Sequence, residues 1–435
     1  MASPLSFGAL RALLTDHFRQ LPDPRTGTNT RYRMVDAALG AFSVFFTQSP
    51  SFLAHQRDMQ RRKGANNAQT LFGVEHIPTD PQIRNLLDGV DPAALRAPYW
   101  AMLERAMADG ALAARFNAGG RWLVSLDGTQ YFGSHTIHCP GCSRMVQETG
   151  TFYAHTALLP VLARPGGREV LVLEPEFITP QDGSEKQDCE RHAARRWIVR
   201  HGARLAAHHT TVLADDLHCN QPFCELLQAQ GLDFILTCKP TSHPTLYEEV
   251  GLLDKLGAVG QREERVWTGK GHQRWHYRFV ERVPLREPPG PLYVNWCALT
   301  IQEEGTGEVL YHNAWATNRA LSAQTVKATV AEGRARWQVE NEGYNVLKNQ
   351  GYYLEHNYGH GQAHLAAVLV MLLLLAFLCH TLLGLVDEAY QRVRAALGTR
   401  RTFFDDLRAL TRYFLFANWE TLMGFMLEGL ELAPA

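Results

Sequence analysis

The chain has 435 residues, a formal net charge of −1, and a composition that is 46% hydrophobic and 20% charged. That length exceeds what one growing core serves, so two or three structural units are expected, and the composition excludes a disordered or low-complexity chain. Near-neutrality excludes a uniformly basic surface, so a nucleic acid would have to be met by local patches.

Residues 1–115 read as a helical unit. "FGALRALLTDHF", "RMVDAALGAFSVFF" and "LRAPYWAMLERAMADGALAARF" carry apolar residues at three- and four-residue spacing. Arg57, Arg61, Arg62 and Lys63 give this unit a basic stretch, which suits either a DNA-contacting domain or a helical cap. The leading residues lack a charged leader followed by an apolar run, so no signal peptide is expected.

Over residues 116–245 the period changes. "RWLVSLDGTQYF", "FYAHTALLPVLAR" and "REVLVLEPEFI" read as strands, and "EKQDCERHAARRWIVRHGARLAAHH" as a crossover helix bearing Arg191, Arg195, Arg196, Arg200 and Arg204. "TTVLADD" and "LDFILTCK" are further strands around the helix "NQPFCELLQAQG". The sequence predicts a mixed α/β sheet with flanking helices.

Residues 246–311 are expected to form a compact β-rich insertion projecting from that sheet, with turns at Gly269, Gly271, Gly305 and Gly307. Residues 312–390 return to helix and include "LAAVLVMLLLLAFLC", which at 15 residues is shorter than the ~20 a membrane span needs and reads as a buried core helix. Residues 391–435 read as a helical tail, with Arg392, Arg394, Arg400 and Arg401 as a third basic cluster.

Three carboxylates draw attention. Asp127 ends "LVSLD", Asp215 follows "TVLA" with Asp216 beside it, and Glu340 lies in "RARWQVENEGYNVLK", a predicted amphipathic helix. Strand ends are where open α/β sheets build sites. Carboxylates gathered there suit two hard divalent cations, Mg²⁺ or Mn²⁺, which can activate a nucleophile and neutralise charge on a phosphodiester. Taken singly, each acid is equally at home in a turn or a helix cap.

Taken together, "LDGT" (126–129), "LADD" (213–216) and "RWQVENEGYNVLK" (336–348) resemble the DDE transposases of bacterial insertion sequences, in the superfamily with a Tyr-Arg-Glu-Lys signature. The resemblance covers residues 120–380 and implies a ribonuclease H-like fold with a β-rich insertion. It implies catalytic, Mg²⁺-binding roles for Asp127, Asp215 and Glu340, and DNA-phosphate contacts for Arg336 and Lys348. It further implies an endonuclease and strand-transfer activity on double-stranded DNA, a homodimer in the DNA complex, and a cytoplasmic, nucleoid-associated location. Gly333 stands where the signature tyrosine would be, and Lys348 is one residue farther from Glu340 than the signature spacing, which leaves Glu342 a rival for Glu340 and Asp216 a rival for Asp215. A nuclease without strand transfer and a domesticated, non-catalytic DNA-binding protein are the alternatives.

The chain has eight cysteines, which without a secretory context read as reduced thiols. "HTIHCPGC" places Cys139 and Cys142 at zinc half-site spacing. Further ligands would come from His135, His138, His155, Cys189 or His192, with a distant partner such as Cys189 favoured over four ligands from one loop. In "LEHNYGHGQAH", Gly359 and Gly361 argue for a loop, so no metal site is expected at His356, His360 and His364.

Overall fold

A computed structural model describes residues 3–23, 25–26, 30–60, 66–180, 188–287 and 289–433. The basic residues Arg61, Arg62 and Lys63 lie outside them. The fold is mixed α/β, with one long sheet, one short sheet and helices against both.

Among the described residues the strands are β1 (Leu123–Ser125), β2 (Gly128–Ser134), β3 (Ser143–Gln147), β4 (Gly150–Leu158), β5 (Val161–Ala163), β6 (Leu171–Val172), β7 (Glu176–Ile178), β8 (Thr211–Ala214), β9 (Asp233–Thr237), β10 (Gly260–Trp267), β11 (His272–Pro284), β12 (Tyr293–Glu303) and β13 (Val309–Thr317). The long sheet runs β10-β11-β12-β13-β9-β8-β1-β5-β6. Only β1, β8 and β9 pair in parallel; every other pairing in it is antiparallel. The parallel strands are mostly apolar and, apart from Asp233 at the start of β9, buried along their length, as strands covered on both faces are.

Two strands expected to be continuous are each divided between sheets. "FYAHTALLPVLAR" breaks at Leu159-Pro160, where proline has no N–H for a ladder, so β4 joins the short sheet and β5 the long one. "REVLVLEPEFI" likewise splits into β6 and β7 around Glu174-Pro175.

The β-rich segment is not a separate projecting unit. It opens with a helix, Pro244–Lys255, and β10 to β13 then continue the main sheet, because β13 pairs Trp315, Ala316 and Thr317 with Thr237, Leu236 and Ile235 of β9. The alternating pattern of β10 comes from its place at the sheet edge, where one face meets solvent.

The helix expected from Leu365 extends through 22 residues to Val386, long and apolar enough to cross a membrane, yet 89% of its most apolar window is buried within the chain. It is apolar all round because protein surrounds it. Helix Met34–Phe46 packs along it, Tyr99 donates to its Met371 carbonyl at 2.6 Å, and His380 donates from Nε2 to Phe46 O (2.8 Å) and accepts at Nδ1 from Tyr390 Oη (3.0 Å). Full burial pushes the His380 imidazole down to about 3, so it stays neutral.

Residues of the predicted N-terminal unit and C-terminal tail share this core. Phe7 and Phe46 pack on Trp419, Asn67 Nδ2 donates to the Thr411 and Phe414 carbonyls, and Arg412 pairs with Asp58. Hydrophobic periodicity marked the helices but could not tell that the chain's two ends close around the same buried helix.

Candidate active site

Asp127 and Asp215 follow β1 and β8, adjacent parallel strands in the register Leu123↔Thr211, Val124↔Val212, Ser125↔Leu213. The same register carries on through Leu126 N, which donates to Leu213 O at 2.8 Å. Asp127 is not in a loop. It sits at the bend where the chain leaves the long sheet for the short one, with β2 starting at Gly128. Its carbonyl accepts from Leu159 N (2.9 Å) and Tyr344 Oη (2.6 Å), which fix the bend.

Glu340 lies in a helical stretch from Val326 to Asn349 that changes pitch, from α through a 3₁₀ turn (Ala335–Trp337) to a π segment, Val339–Tyr344. Such single-turn π segments insert an extra residue per turn and re-aim side chains. Arg336 Nη2 reaches Glu340 Oε1 at 2.8 Å, and its Nη1 stands 3.9 Å from Asp127 Oδ2. This guanidinium links the two acids across the strand–helix boundary.

A fourth carboxylate, Glu190, was not anticipated. It opens the crossover helix Glu190–Ala207, and its carboxylate lies over Gly128, where any Cβ would collide with it. Buried His218 holds its Oε1 at 3.0 Å. In the sequence an acid in the first turn of a helix reads as a partner of the helix dipole, so nothing marked it.

Burial, together with the negative charges of Glu190, Glu340 and Asp215, pushes the Asp127 carboxyl up to about 7 against the pull of Arg336. Asp127 thus feels the charges of three other acids, with the Arg336 guanidinium set against them.

The rivals face elsewhere. Asp216 accepts from Lys239 N (2.7 Å) and Ser242 Oγ (2.5 Å) and stands 3.4 Å from His243 Nε2, tying down the loop after β9. Glu342 lies near Glu169, Arg168 and Arg400, and burial raises its carboxyl. Lys348 pairs with Glu355 at 2.7 Å and is not directed at the acids.

Gly333 has a packing reason. A Cβ there would meet Trp315 Nε1 at 2.8 Å and Ile235 Cγ2 at 3.0 Å, so the helix approaches the sheet too closely for a tyrosine.

The crossover helix is anchored by a buried ionic network. Glu174, 1% exposed, accepts from Trp100 Nε1 (3.0 Å) and pairs with His201 Nε2 (2.7 Å), while Glu176 and Asp188 engage Arg196. Arg200 pairs with Glu174 and Glu176, and Arg204 lies over the Trp100 ring. Of the predicted basic patch on this helix, Arg196, Arg200 and Arg204 are thus paired with acids.

Among the described residues, two groups bring three or more ligand atoms all within 4.8 Å of one another: Cys139, Cys142, His155 and His360, and separately Cys219, Cys238 and His243. Among the described residues no three of the carboxylates meet that limit together. The first group is compatible with a structural metal. His135 instead approaches Thr151 O (3.3 Å), His138 stacks on Tyr153, Cys189 is exposed, and His192 lies 3.8 Å from Asp188. From the 356–364 run, where no metal site was expected, His360 is brought into this group. A loop does form there, and Gly361 at φ 71° lets it turn beside Asp88 and aim the imidazole inward.

Compared with protein-family models and with curated proteins, the sequence gives no match.

Proposed function

We propose that the chain is a ribonuclease H-like DDE transposase, cleaving DNA at element ends and transferring the freed strand into target DNA. The observation that carries this is the convergence of Asp127 and Asp215, from adjacent parallel strands, with Glu340 joined to Asp127 through Arg336. The chain order supports it too: strands, a crossover helix, then strand, helix and strand, with an acid after each of two paired strands.

The donor set suits hard cations, since it offers carboxylate oxygens and no thiolate. Asp127, Asp215 and Glu340 would hold Mg²⁺ or Mn²⁺, with Glu190 beside them. When bound there, such ions would help deprotonate a nucleophile and neutralise charge on the phosphate under attack. The protein's own part is positioning. Tyr344 and Leu159 clamp the Asp127 backbone, His218 steadies Glu190, and Arg336 holds Glu340 in place. Arg336 lies closer to the acids than the phosphate role implies, and on this reading it orients them.

The cysteine–histidine group, with soft ligands, belongs on the same reading to a structural zinc outside the reaction. DNA flanking the coding region tests the proposal. Inverted repeats bounding it should serve as substrate, and with Mg²⁺ the protein should join their 3′ ends to a target plasmid. Cleavage without joined product favours a nuclease, and DNA binding without cleavage favours the domesticated, non-catalytic protein.

A further inference from the structure

Cys139 and Cys142 occupy the turn between β2 and β3, His155 lies on β4, and His360 arrives from the loop before the buried helix, 205 residues later in the chain. Exposures are 5%, 1%, 6% and 9%, so four soft donors share one dry place. Their ligand atoms face one another: Sγ–Sγ is 3.9 Å, His155 Nε2 stands 3.5 Å from Cys139 Sγ and 3.4 Å from Cys142 Sγ, His360 Nε2 is 3.3 Å from Cys142 Sγ, and the two Nε2 atoms are 3.1 Å apart.

A tetrahedral zinc ion with Zn–S of about 2.3 Å and Zn–N of about 2.0–2.1 Å requires ligand separations of about 3.8 Å for S···S, about 3.6 Å for S···N and about 3.3 Å for N···N. The observed set agrees within about 0.3 Å. A Sγ–Sγ distance of 3.9 Å is far too long for a disulfide. His360 Nδ1 lies 3.1 Å from Gly361 O, the outer hydrogen bond that leaves Nε2 unprotonated and free to ligate.

We infer that Cys139, Cys142, His155 and His360 bind one structural zinc ion that fastens the short sheet to the entrance of the buried helix. All four positions are filled by protein, so the site is closed, as structural zinc sites are. The fastening joins distant parts. Asp88 of the N-terminal helices accepts from Gln362, Ala363, His364 and Leu365 N at 3.0 Å, two to five residues beyond His360, so the ion, Asp88 and the first turn of the long helix form one joint. Binding would release the thiol protons, so uptake should strengthen with rising pH. The inference does not depend on the transposase reading.

The test is metal content of the full-length protein purified without chelator, by plasma mass spectrometry, and of protein stripped with chelator and reloaded. One zinc per chain is expected, retained in Cys189→Ser and His138→Ala and lost in Cys142→Ser and His360→Ala. Should those two variants fail to fold, Co²⁺ loading of the stripped wild-type protein decides. Intense tetrahedral d–d bands with thiolate-to-cobalt charge transfer are expected, and a weak octahedral spectrum would overturn the inference. Failure of folded wild-type protein to take up one equivalent, or full zinc retention by the Cys142→Ser/His360→Ala double variant, would overturn it as well.

Discussion

Replacing Asp127 by Asn tests the electrostatics of the site without DNA. Burial and the charges of Glu190, Glu340 and Asp215 carry this carboxyl from 3.8 to about 7. A carboxyl that holds its proton more tightly folded than unfolded costs stability as pH rises between those values, because the unfolded chain releases its proton first. The whole span corresponds to about 4 kcal/mol, and the portion between pH 5 and pH 7 to about 3 kcal/mol, at 1.36 kcal/mol per pH unit. Asn keeps the shape and cannot ionise. In urea unfolding without added divalent cations, Asp127→Asn should be more stable than wild type at pH 8, and the advantage should shrink by about 3 kcal/mol at pH 5. Mg²⁺ should recover stability in the wild type alone, about 2.7 kcal/mol at a hundredfold excess over Kd. The same wild-type-to-variant difference at both pH values would refute the reasoning.

Glu190→Gln removes one of the charges raising Asp127, so the pH dependence of unfolding should flatten while metal-dependent cleavage falls; an unchanged slope would place Glu190 outside the cluster. Gly333→Ala should destabilise by about 1–3 kcal/mol through its clash with Trp315 and Ile235, measured by the same unfolding. Glu174→Ala leaves His201 and the neighbouring arginines without their buried partner and should cost about 3 kcal/mol, seen as a lower denaturation midpoint.

Local pattern made much of this legible. Apolar runs ending in Asp127 and Asp215 mark strand ends because burial and chain direction are both written within a few residues. The helix around Glu340 shows in its 3.6-residue spacing, although the π segment that turns Glu340 does not. What stayed hidden is non-local. Nothing near His360 points to His155, 205 positions away, and Gly359 and Gly361 suggested a loop without a metal site, although a loop can still carry one histidine to a distant group. Glu190 lay inside the predicted crossover helix with nothing in the sequence to set it apart from the other charges there. The β-rich segment announced strands but not that β13 would pair with β9 and extend the main sheet. Gly333 looked like a departure from a signature until Trp315 was seen pressed against it.

The most direct measurement of the central claim is cleavage of labelled duplex carrying the flanking repeats, with Mg²⁺ or Mn²⁺, by wild type and by Asp127→Ala, Asp215→Ala and Glu340→Ala, alongside DNA binding by each. Wild type should leave 3′-hydroxyl ends only when metal is present. The three variants should bind DNA nearly as well, since affinity comes mainly from phosphate contacts by basic residues, yet cleave none. Asp216→Ala and Glu342→Ala should still cleave. Cleavage surviving all three substitutions, or absent from the wild type with either metal, would contradict the assignment.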